Sequence, residues 1–146
     1  MTAKPSVLFN CVHNSGRSVA SAALLRHYGG DRVDVGSAGS ESGPEVNPVI
    51  AQVLAERGLP VIDHTPTQLD HDLVEAADVV VTLGCGEACP YVPGKRYEDW
   101  EVTDPKGQDL DTVRRIVDDL DSRVRRLLDE LVPAGWSATG NPGRTR

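Results

Sequence analysis

This chain of 146 residues has few aromatic side chains, few cysteines and no excess of basic residues. Its three cysteines are an odd number, which does not suit the paired disulfide framework of a small secreted domain. The formal net charge of −7 argues against nucleic acid or an anionic membrane surface as a partner. These absences favour a globular protein whose thiols are kept reduced.

Long hydrophobic runs are missing as well. No segment approaches the length of about 20 apolar residues that a membrane-spanning helix needs. The first residues lead into a strand-like run and lack the features of a signal peptide. We therefore predict a cytoplasmic, monomeric protein with one domain over residues 1–132. Gly, Pro and Thr dominate residues 133–146, which we expect to form a disordered tail.

Apolar strand patterns and helical patterns alternate along the chain. Because such alternation is typical of α/β proteins, we predict a four-stranded parallel sheet with helices on both faces. The expected strands span 6–10, 32–38, 78–83 and 96–100, and the expected helices span 17–28 (or from 15), 48–57, 67–77 and 110–131.

The segment 11–18 carries the strongest functional signal. Cys11 ends the first apolar run, and after five intervening residues Arg17 and Ser18 open a helical pattern. A loop of this length can wrap a tetrahedral oxyanion with backbone N–H groups, while the helix N-terminus and the Arg17 fork add positive charge. Such a field favours the thiolate form of Cys11. The predicted oxyanion-binding residues are Val12, His13, Asn14, Ser15, Gly16, Arg17 and Ser18.

Other interpretations of this segment fit less well. A lone cysteine after an apolar strand is commonly a small buried hydrophobe, but the arginine at this spacing argues against that interpretation. A Walker-type nucleotide loop fits poorly because no Gly-Lys-Ser/Thr follows, and the glycine pattern of a dinucleotide site is missing.

Three other chemistry-bearing residues follow later strands. Cys85 and Cys89 come after the third predicted strand, and Asp104 comes after the fourth. Ligands of parallel sheets bind beyond the carboxyl ends of the strands, so we expect these side chains to converge with Cys11 on one crevice. The cysteine pair could also be incidental, or half of a zinc site. The histidines lack the spacing of zinc ligands, so we predict no metal site. Asp104 could equally belong to an ordinary Thr-Asp-Pro turn.

At these residues the chain resembles the low-molecular-weight protein tyrosine phosphatase superfamily, and within it the arsenate reductases. The resemblance rests on the loop 11–18, the Val-Gly-Ser-Ala-Gly turn at 35–39 and the Asp-Pro pair at 104–105. It implies a flavodoxin-like strand order and a particular role for each of five residues. Cys11 would be the nucleophile, Arg17 the oxyanion clamp and Asp104 the general acid, while Asn14 and Ser18 would hold the loop and bond the nucleophile sulfur.

For a reductase the resemblance implies a thiol relay. Cys85 would attack the Cys11 sulfur after arsenate has reacted there, and Cys89 would then carry the disulfide to thioredoxin, with no tightly bound cofactor. The two later cysteines lie closer together than in typical thioredoxin-coupled relatives. Their spacing resembles that of an actinobacterial branch of the family. Some members of that branch use mycothiol with mycoredoxin, which is the alternative reductant.

Two functions besides reduction stay open at this point. One is a phosphatase, although the few aromatics and the Lys-Gly that follows the Asp-Pro pair make a deep aryl slot hard to build. The other is an oxyanion-binding or redox-sensing module that uses the loop without turnover.

Overall fold

The computed structural model describes residues 4–11, 13–14, 16–39, 43, 46–59, 67–83 and 95–132. Its centre is a four-stranded parallel sheet in the order β2-β1-β3-β4. The strands are β1 (Ser6–Cys11), β2 (Asp34–Gly39), β3 (Val79–Thr82) and β4 (Arg96–Asp99). The helices are α1 (Arg17–Gly29), α2 (Pro48–Glu56), α3 (His71–Ala76) and α4 (Leu110–Leu131). This architecture confirms the predicted fold class and strand order.

The two faces of the sheet bury different sets of side chains. Val7 and Phe9 of β1 belong to the large core that includes apolar residues of α1, α2 and α4. Leu8 of β1 points the other way and packs with Val80 of β3 and Val74 of α3. The alternation follows from the period of two along a strand, and it explains why nearly all of β1 is apolar.

The longest helix has the bounds that its sequence pattern predicts. Asp109 caps the N-terminus of α4 by accepting a hydrogen bond from the Thr112 backbone N–H at 2.8 Å, and the hydrogen bonds from Thr112 lower the pKa of this carboxyl. The apolar residues at helical spacing form the buried face of α4: Val113, Ile116, Val117, Leu120, Val124, Leu127 and Leu128.

Two predicted elements begin at least two residues later in the structure than the sequence pattern predicts. The helix expected over 67–77 begins only at His71, because Gln68 forms a parallel bridge with Gly39 and Asp70 caps the helix through the Leu73 backbone N–H. The strand expected over 32–38 begins at Asp34, because Gly30–Arg32 forms a 3-10 turn. In both cases a long-range or turn hydrogen bond overrides the local pattern.

None of the helices in the described ranges is long and apolar enough to cross a membrane. The predicted tail at 133–146 lies outside the described residues, so the domain boundary at 132 remains a prediction.

A buried carboxylate in the middle of α4 ties the C-terminal ends of α1 and α2 to that helix. Asp121 of α4 is only 4% exposed. It accepts hydrogen bonds from the Tyr28 hydroxyl at 2.7 Å, from Arg57 Nη1 at 3.2 Å and from Arg125 Nε at 2.6 Å. The hydrogen bond to Asp121 raises the pKa of the Tyr28 hydroxyl. Since Tyr28 lies on α1 and Arg57 follows α2, this cluster holds α1 and α2 against α4.

Asp121→Ala is therefore expected to lower the free energy of unfolding by about 2 kcal/mol, because it removes three hydrogen bonds to a buried charged acceptor whose donors are themselves partly or largely exposed. Urea denaturation monitored by circular dichroism measures this value. Asp119→Ala is the matched control, since Asp119 pairs with Arg123 on the exposed side of the same helix at 2.9 Å. That control should lose no more than about 0.5 kcal/mol. Equal losses in the two variants would contradict the assigned role of Asp121.

Candidate active site

Cys11 lies at the carboxyl end of β1, where the sheet opens to the first helix. It pairs in register with Gly39 of β2 and is 3% exposed. Its Sγ is 2.8 Å from the Oγ of Ser18, a contact in which either atom can be the donor. Ser18 is fully buried in the first turn of α1. The strand and the helix thus place the sulfur and the hydroxyl together, as the resemblance implies.

Asn14 holds the loop between β1 and α1 in shape. Its φ of 52° lies in the left-handed region, which asparagine tolerates better than most residues. The buried side chain donates from Nδ2 to Ser18 Oγ at 2.8 Å and accepts at Oδ1 from the Thr67 backbone N–H at 2.8 Å. A chain of hydrogen bonds therefore runs from Thr67 through Asn14 and Ser18 to the Cys11 sulfur.

The N-terminus of α1 offers its positive end to the same space. Gly16, the N-cap residue, has no side chain to cap the helix, and the first turn carries no acidic residue. Backbone N–H groups at such an end have no intrahelical partner and favour a bound anion. Gly16 is buried, whereas His13 is exposed.

Arg17 begins α1, and its side chain is 12% exposed. Nη1 donates to the backbone carbonyl of Val102 at 3.1 Å, and Nη2 lies 3.7 Å from Asp104 Oδ2. The tertiary structure thus brings Arg17 and Asp104 together across 87 positions of sequence, as the strand-end argument predicts. The guanidinium is held at the carboxyl edge of the sheet, where it can grip oxyanion oxygens.

Asp104 makes contacts that are compatible with both interpretations that the sequence left open, an ordinary turn and a general acid. Its Oδ1 accepts a hydrogen bond from the Lys106 backbone N–H at 3.0 Å, which is the contact of an ordinary turn. Its Oδ2 faces Arg17, and its side chain is 59% exposed. The structure thus places an exposed carboxyl beside the Arg17 guanidinium.

The absence of a side chain at Gly16 lets the Asp104 loop approach α1. A Cβ built on Gly16 would lie 3.0 Å from Cγ of Pro105, which is tighter than most Cβ contacts. Pro105 is buried. Close packing between these two residues therefore sets the position of the neighbouring Asp104.

Gly16→Ala is expected to displace Pro105 by a few tenths of an ångström and to lower kcat roughly tenfold through misplaced Asp104. Steady-state kinetics with the substrate proposed below measure this loss, while the rate of Cys11 alkylation by iodoacetamide should stay unchanged. Gly36→Ala is the control, because its added Cβ would make an ordinary contact with Leu8 at 3.5 Å. Full activity of Gly16→Ala would contradict the positioning argument.

A cavity of about 450 Å³ opens beside Arg17. Its described lining is Arg17, Asp99, Trp100, Glu101, Val102 and Thr103. The Trp100 ring is 7% exposed, packs 5.8 Å from the Phe9 ring centroid and donates from Nε1 to Glu98 at 2.9 Å. Trp100 is thus packed in the core, and the described lining of the cavity presents no exposed aromatic face against which an aryl group could stack.

Among the described residues, one group of potential metal ligands lies close together: His71, Asp72 and Glu75 of α3. All three are exposed, and exposed acidic groups of this kind are common without an ion. Nothing in this arrangement links them to the oxyanion loop, so the prediction of no metal site stands as a prediction.

Several predicted site residues lie outside the described residues. They are Val12 and Ser15 of the loop and the cysteine pair Cys85 and Cys89. Of the others, the structure brings Cys11, Asn14, Gly16, Arg17, Ser18 and Asp104 together. His13 is also described, with an exposed side chain, and its predicted part in oxyanion binding stays a prediction.

The structure adds three features near the site that the sequence interpretation missed. Two are backbone groups, the Thr67 N–H and the Val102 carbonyl, which no side-chain pattern reveals. The third is Asn10, which is fully buried and whose amide nitrogen and oxygen have no hydrogen-bond partner among the residues that the structure describes. A polar residue inside the apolar run 7–11 was a signal for Asn10.

A buried cysteine lies beneath a helix N-terminus, beside an arginine at the carboxyl edge of a parallel sheet. This arrangement is typical of α/β enzymes in which a cysteine sulfur attacks a tetrahedral oxyanion. Residues 6–134 match the family described as low molecular weight phosphotyrosine protein phosphatase. The chain belongs to this family, which confirms the resemblance.

The relatives with the most informative names are arsenate reductases. Arsenate reductase 1 of Bacillus cereus is 36% identical over 88% of this chain and 98% of its own length. A putative arsenate reductase of Halobacterium salinarum is 33% identical over 86% of this chain and 92% of its own length. The thioredoxin-dependent arsenate reductase of Corynebacterium glutamicum is 43% identical in structure comparison, with a TM-score of 0.79 over 89% of this chain. This chain spans 63% of that protein's length.

Proposed function

We propose that this protein reduces arsenate to arsenite, with Cys11 as the nucleophile and an external thiol as the source of electrons. The observation that carries the proposal is the contact of Cys11 Sγ with Ser18 Oγ at 2.8 Å, in a loop whose helix begins with Arg17. Full-length relatives named as arsenate reductases support this substrate.

In the first step the Cys11 thiolate attacks arsenic. A sulfur–arsenic bond forms, and an arsenic–oxygen bond breaks. The departing oxygen needs a proton to leave as water, and Asp104 beside Arg17 supplies it. Arg17 and the N–H groups of the loop hold the remaining oxygens of the arsenate.

The second step transfers two electrons to arsenic. The Cys85 thiolate attacks the Cys11 sulfur, the sulfur–arsenic bond breaks with its electron pair on arsenic, and arsenite leaves. The two sulfurs have then become a disulfide, which balances the reduction of arsenic from the +5 to the +3 state. Cys89 next attacks the Cys85 sulfur and frees Cys11, and the Cys85–Cys89 disulfide is reduced from outside.

We propose thioredoxin as that external reductant, because the Corynebacterium glutamicum relative carries thioredoxin dependence in its name. Mycothiol with mycoredoxin is the alternative, since Cys85 and Cys89 are only four positions apart. Either route requires cysteines that stay reduced, which favours the cytoplasm as the compartment.

A phosphatase is the second candidate, since its chemistry needs only Cys11, Arg17 and Asp104. It gives the two later cysteines no role, and the described cavity lining offers no exposed aromatic face to a phosphotyrosine ring. These two points favour reduction over hydrolysis.

The deciding experiment measures arsenate-dependent NADPH oxidation by the purified protein in two arms. One arm contains thioredoxin and its reductase, and the other contains mycothiol, mycoredoxin and the matching reductase. We expect turnover in the thioredoxin arm. Hydrolysis of para-nitrophenyl phosphate that is faster than arsenate reduction in both arms would instead support the phosphatase.

Cys89→Ser is expected to stop steady-state turnover in the thioredoxin arm, because the Cys11–Cys85 disulfide would have no resolving thiol. One equivalent of arsenite per protein should still form in a single-turnover assay. Ser21→Ala is the control, since this buried hydroxyl on α1 bonds the Arg17 carbonyl and not the sulfur. Unchanged steady-state activity of Cys89→Ser would contradict the relay.

A further inference from the structure

The cavity beside Arg17 has room for more than an oxyanion. Its volume is about 450 Å³, and Arg17 itself belongs to its lining. A tetrahedral oxyanion has the bulk of a few water molecules, each of which takes up about 30 Å³ in the liquid. Cavities of several hundred Å³ are those in which proteins hold organic molecules. A second chemical group, joined to the oxyanion, therefore has space beside the clamp.

The chain that follows β4, residues 99–103, forms a fixed wall of this cavity. Its backbone is held at two consecutive positions: the Glu101 carbonyl accepts from Arg123 Nη2 at 3.3 Å, and the Val102 carbonyl accepts from Arg17 Nη1 at 3.1 Å. Successive side chains along the wall alternate between exposed and buried. The wall thus presents every second side chain outward, from a backbone that both arginines hold in place.

Negative charge dominates the outward side of this wall. Its exposed side chains are those of Asp99, Glu101 and Thr103. Asp99 Oδ1 accepts a hydrogen bond from Thr82 Oγ1 at 2.8 Å, which leaves the charge of the carboxylate uncompensated. Along the described chain, the Glu101 carboxylate pairs with no cation. Two carboxylates therefore line a cavity whose described lining contains a single cation, Arg17.

These charges limit what the second group can be. A carboxylate or a second phosphate would meet two like charges, and an interface of like charges selects against such a group. An aryl group would find no exposed aromatic face in the described lining. An ammonium group would instead gain charge-assisted hydrogen bonds to the oxygens of Asp99 and Glu101. The wall is complementary to a small cation.

We infer that this cavity is a subsite for an ammonium group, and that the protein binds phosphate monoesters of amino alcohols with their phosphate in the oxyanion loop. Arg17 and the N–H groups of the loop would hold the phosphate, while Asp99 and Glu101 would hold the ammonium. The inference rests on the oxyanion-binding part of the proposed function. It needs none of the redox chemistry, because the two later cysteines take no part in binding.

The test measures binding by isothermal titration calorimetry to the Cys11→Ser protein, which lacks the proposed nucleophile. The ligands are 2-aminoethyl phosphate and propyl phosphate, which differ only in an ammonium group in place of a methyl group. We expect 2-aminoethyl phosphate to bind at least about tenfold more tightly, a difference of about 1.4 kcal/mol. Raising the salt concentration should reduce this preference, because salt screens exposed charges.

Further variants in the same background assign the preference to the wall. Glu101→Gln and Asp99→Asn should each lower it to about threefold, and the double variant should abolish it. The affinity for propyl phosphate should change by less than about twofold in each. Asp129→Asn is the control with the same change in net charge. Asp129 lies in the last turn of α4 next to Glu130, which pairs with Arg96 at the opposite end of β4 from the cavity.

The possible outcomes separate this inference from the proposed function. Equal affinity for the two esters would overturn the subsite and leave the proposed reduction intact. If sulfate binds and neither ester does, the cavity accepts no organic group, and the subsite is again overturned. If sulfate does not bind either, the oxyanion loop is wrong, and the proposed function fails with it. A preference that persists in the double variant would place the ammonium elsewhere and overturn the assignment to Asp99 and Glu101.

Discussion

Cys11→Ser is expected to abolish arsenate reduction and to lower the steady-state rate by at least about 10⁴-fold, as losses of catalytic nucleophiles do. A serine hydroxyl is not ionised at neutral pH, and its oxygen can neither attack arsenic effectively nor form a disulfide. The Ser18 hydroxyl that contacts the sulfur at 2.8 Å offers no base to activate it. Coupled NADPH oxidation measures the loss.

The same variant should keep the oxyanion loop intact. Arg17, Asn14 and the first turn of α1 are unchanged, so sulfate affinity is expected to stay within about threefold of the parent protein. This comparison separates chemistry from binding. Activity above about 1% of the parent value would show that another residue is the nucleophile. Loss of sulfate binding together with activity would show that Cys11 is instead structural.

Arg17→Lys is expected to lower kcat/KM about 10³-fold, which corresponds to about 4 kcal/mol of lost transition-state stabilisation. Lysine keeps the positive charge but cannot present the planar pair of N–H donors that grips two oxyanion oxygens. It would also lose the geometry of the contact with the Val102 carbonyl. Steady-state kinetics over a range of arsenate concentrations measure the effect.

A matched arginine on the same helix provides the control. Arg26 lies in the last turn of α1 and donates from Nη2 to the Val35 carbonyl at 3.0 Å, also a contact with backbone. Arg26→Lys should change kcat/KM by less than about twofold, because its guanidinium is remote from the oxyanion loop in the fold. If Arg17→Lys retained more than about a third of the parent activity, the proposal that Arg17 clamps the oxyanion would be contradicted.

The elements that local pattern alone specifies were predicted well. The α4 pattern of apolar residues at helical spacing spans several turns, and its observed bounds, Leu110–Leu131, are those expected. The Asn-Pro pair at 47–48 also forms the expected start of α2, where Asn47 accepts hydrogen bonds from the backbone N–H groups of Val49 and Ile50. In these segments every local preference agrees with the fold.

Prediction was weaker where a distant partner competes with the local pattern. The residues just before α3 have an acceptable helical pattern, yet Gln68 bridges to Gly39 and the Thr67 N–H donates to Asn14. Two long-range partners thus decide the conformation of a segment that looks helical in isolation. Likewise, the packing of Pro105 on Gly16 could not be read from either residue alone.

The sequence by itself determined the sheet-and-helix alternation and the loop that joins Cys11 to Arg17, since spacing along one strand, loop and helix start is a local property. Only the tertiary structure decided that Asp104 lies 3.7 Å from Arg17 and that Thr67 anchors Asn14. The physical reason is that parallel strands bring their carboxyl ends to one edge from distant parts of the chain. Which groups meet there depends on side-chain packing and backbone hydrogen bonds across the whole domain.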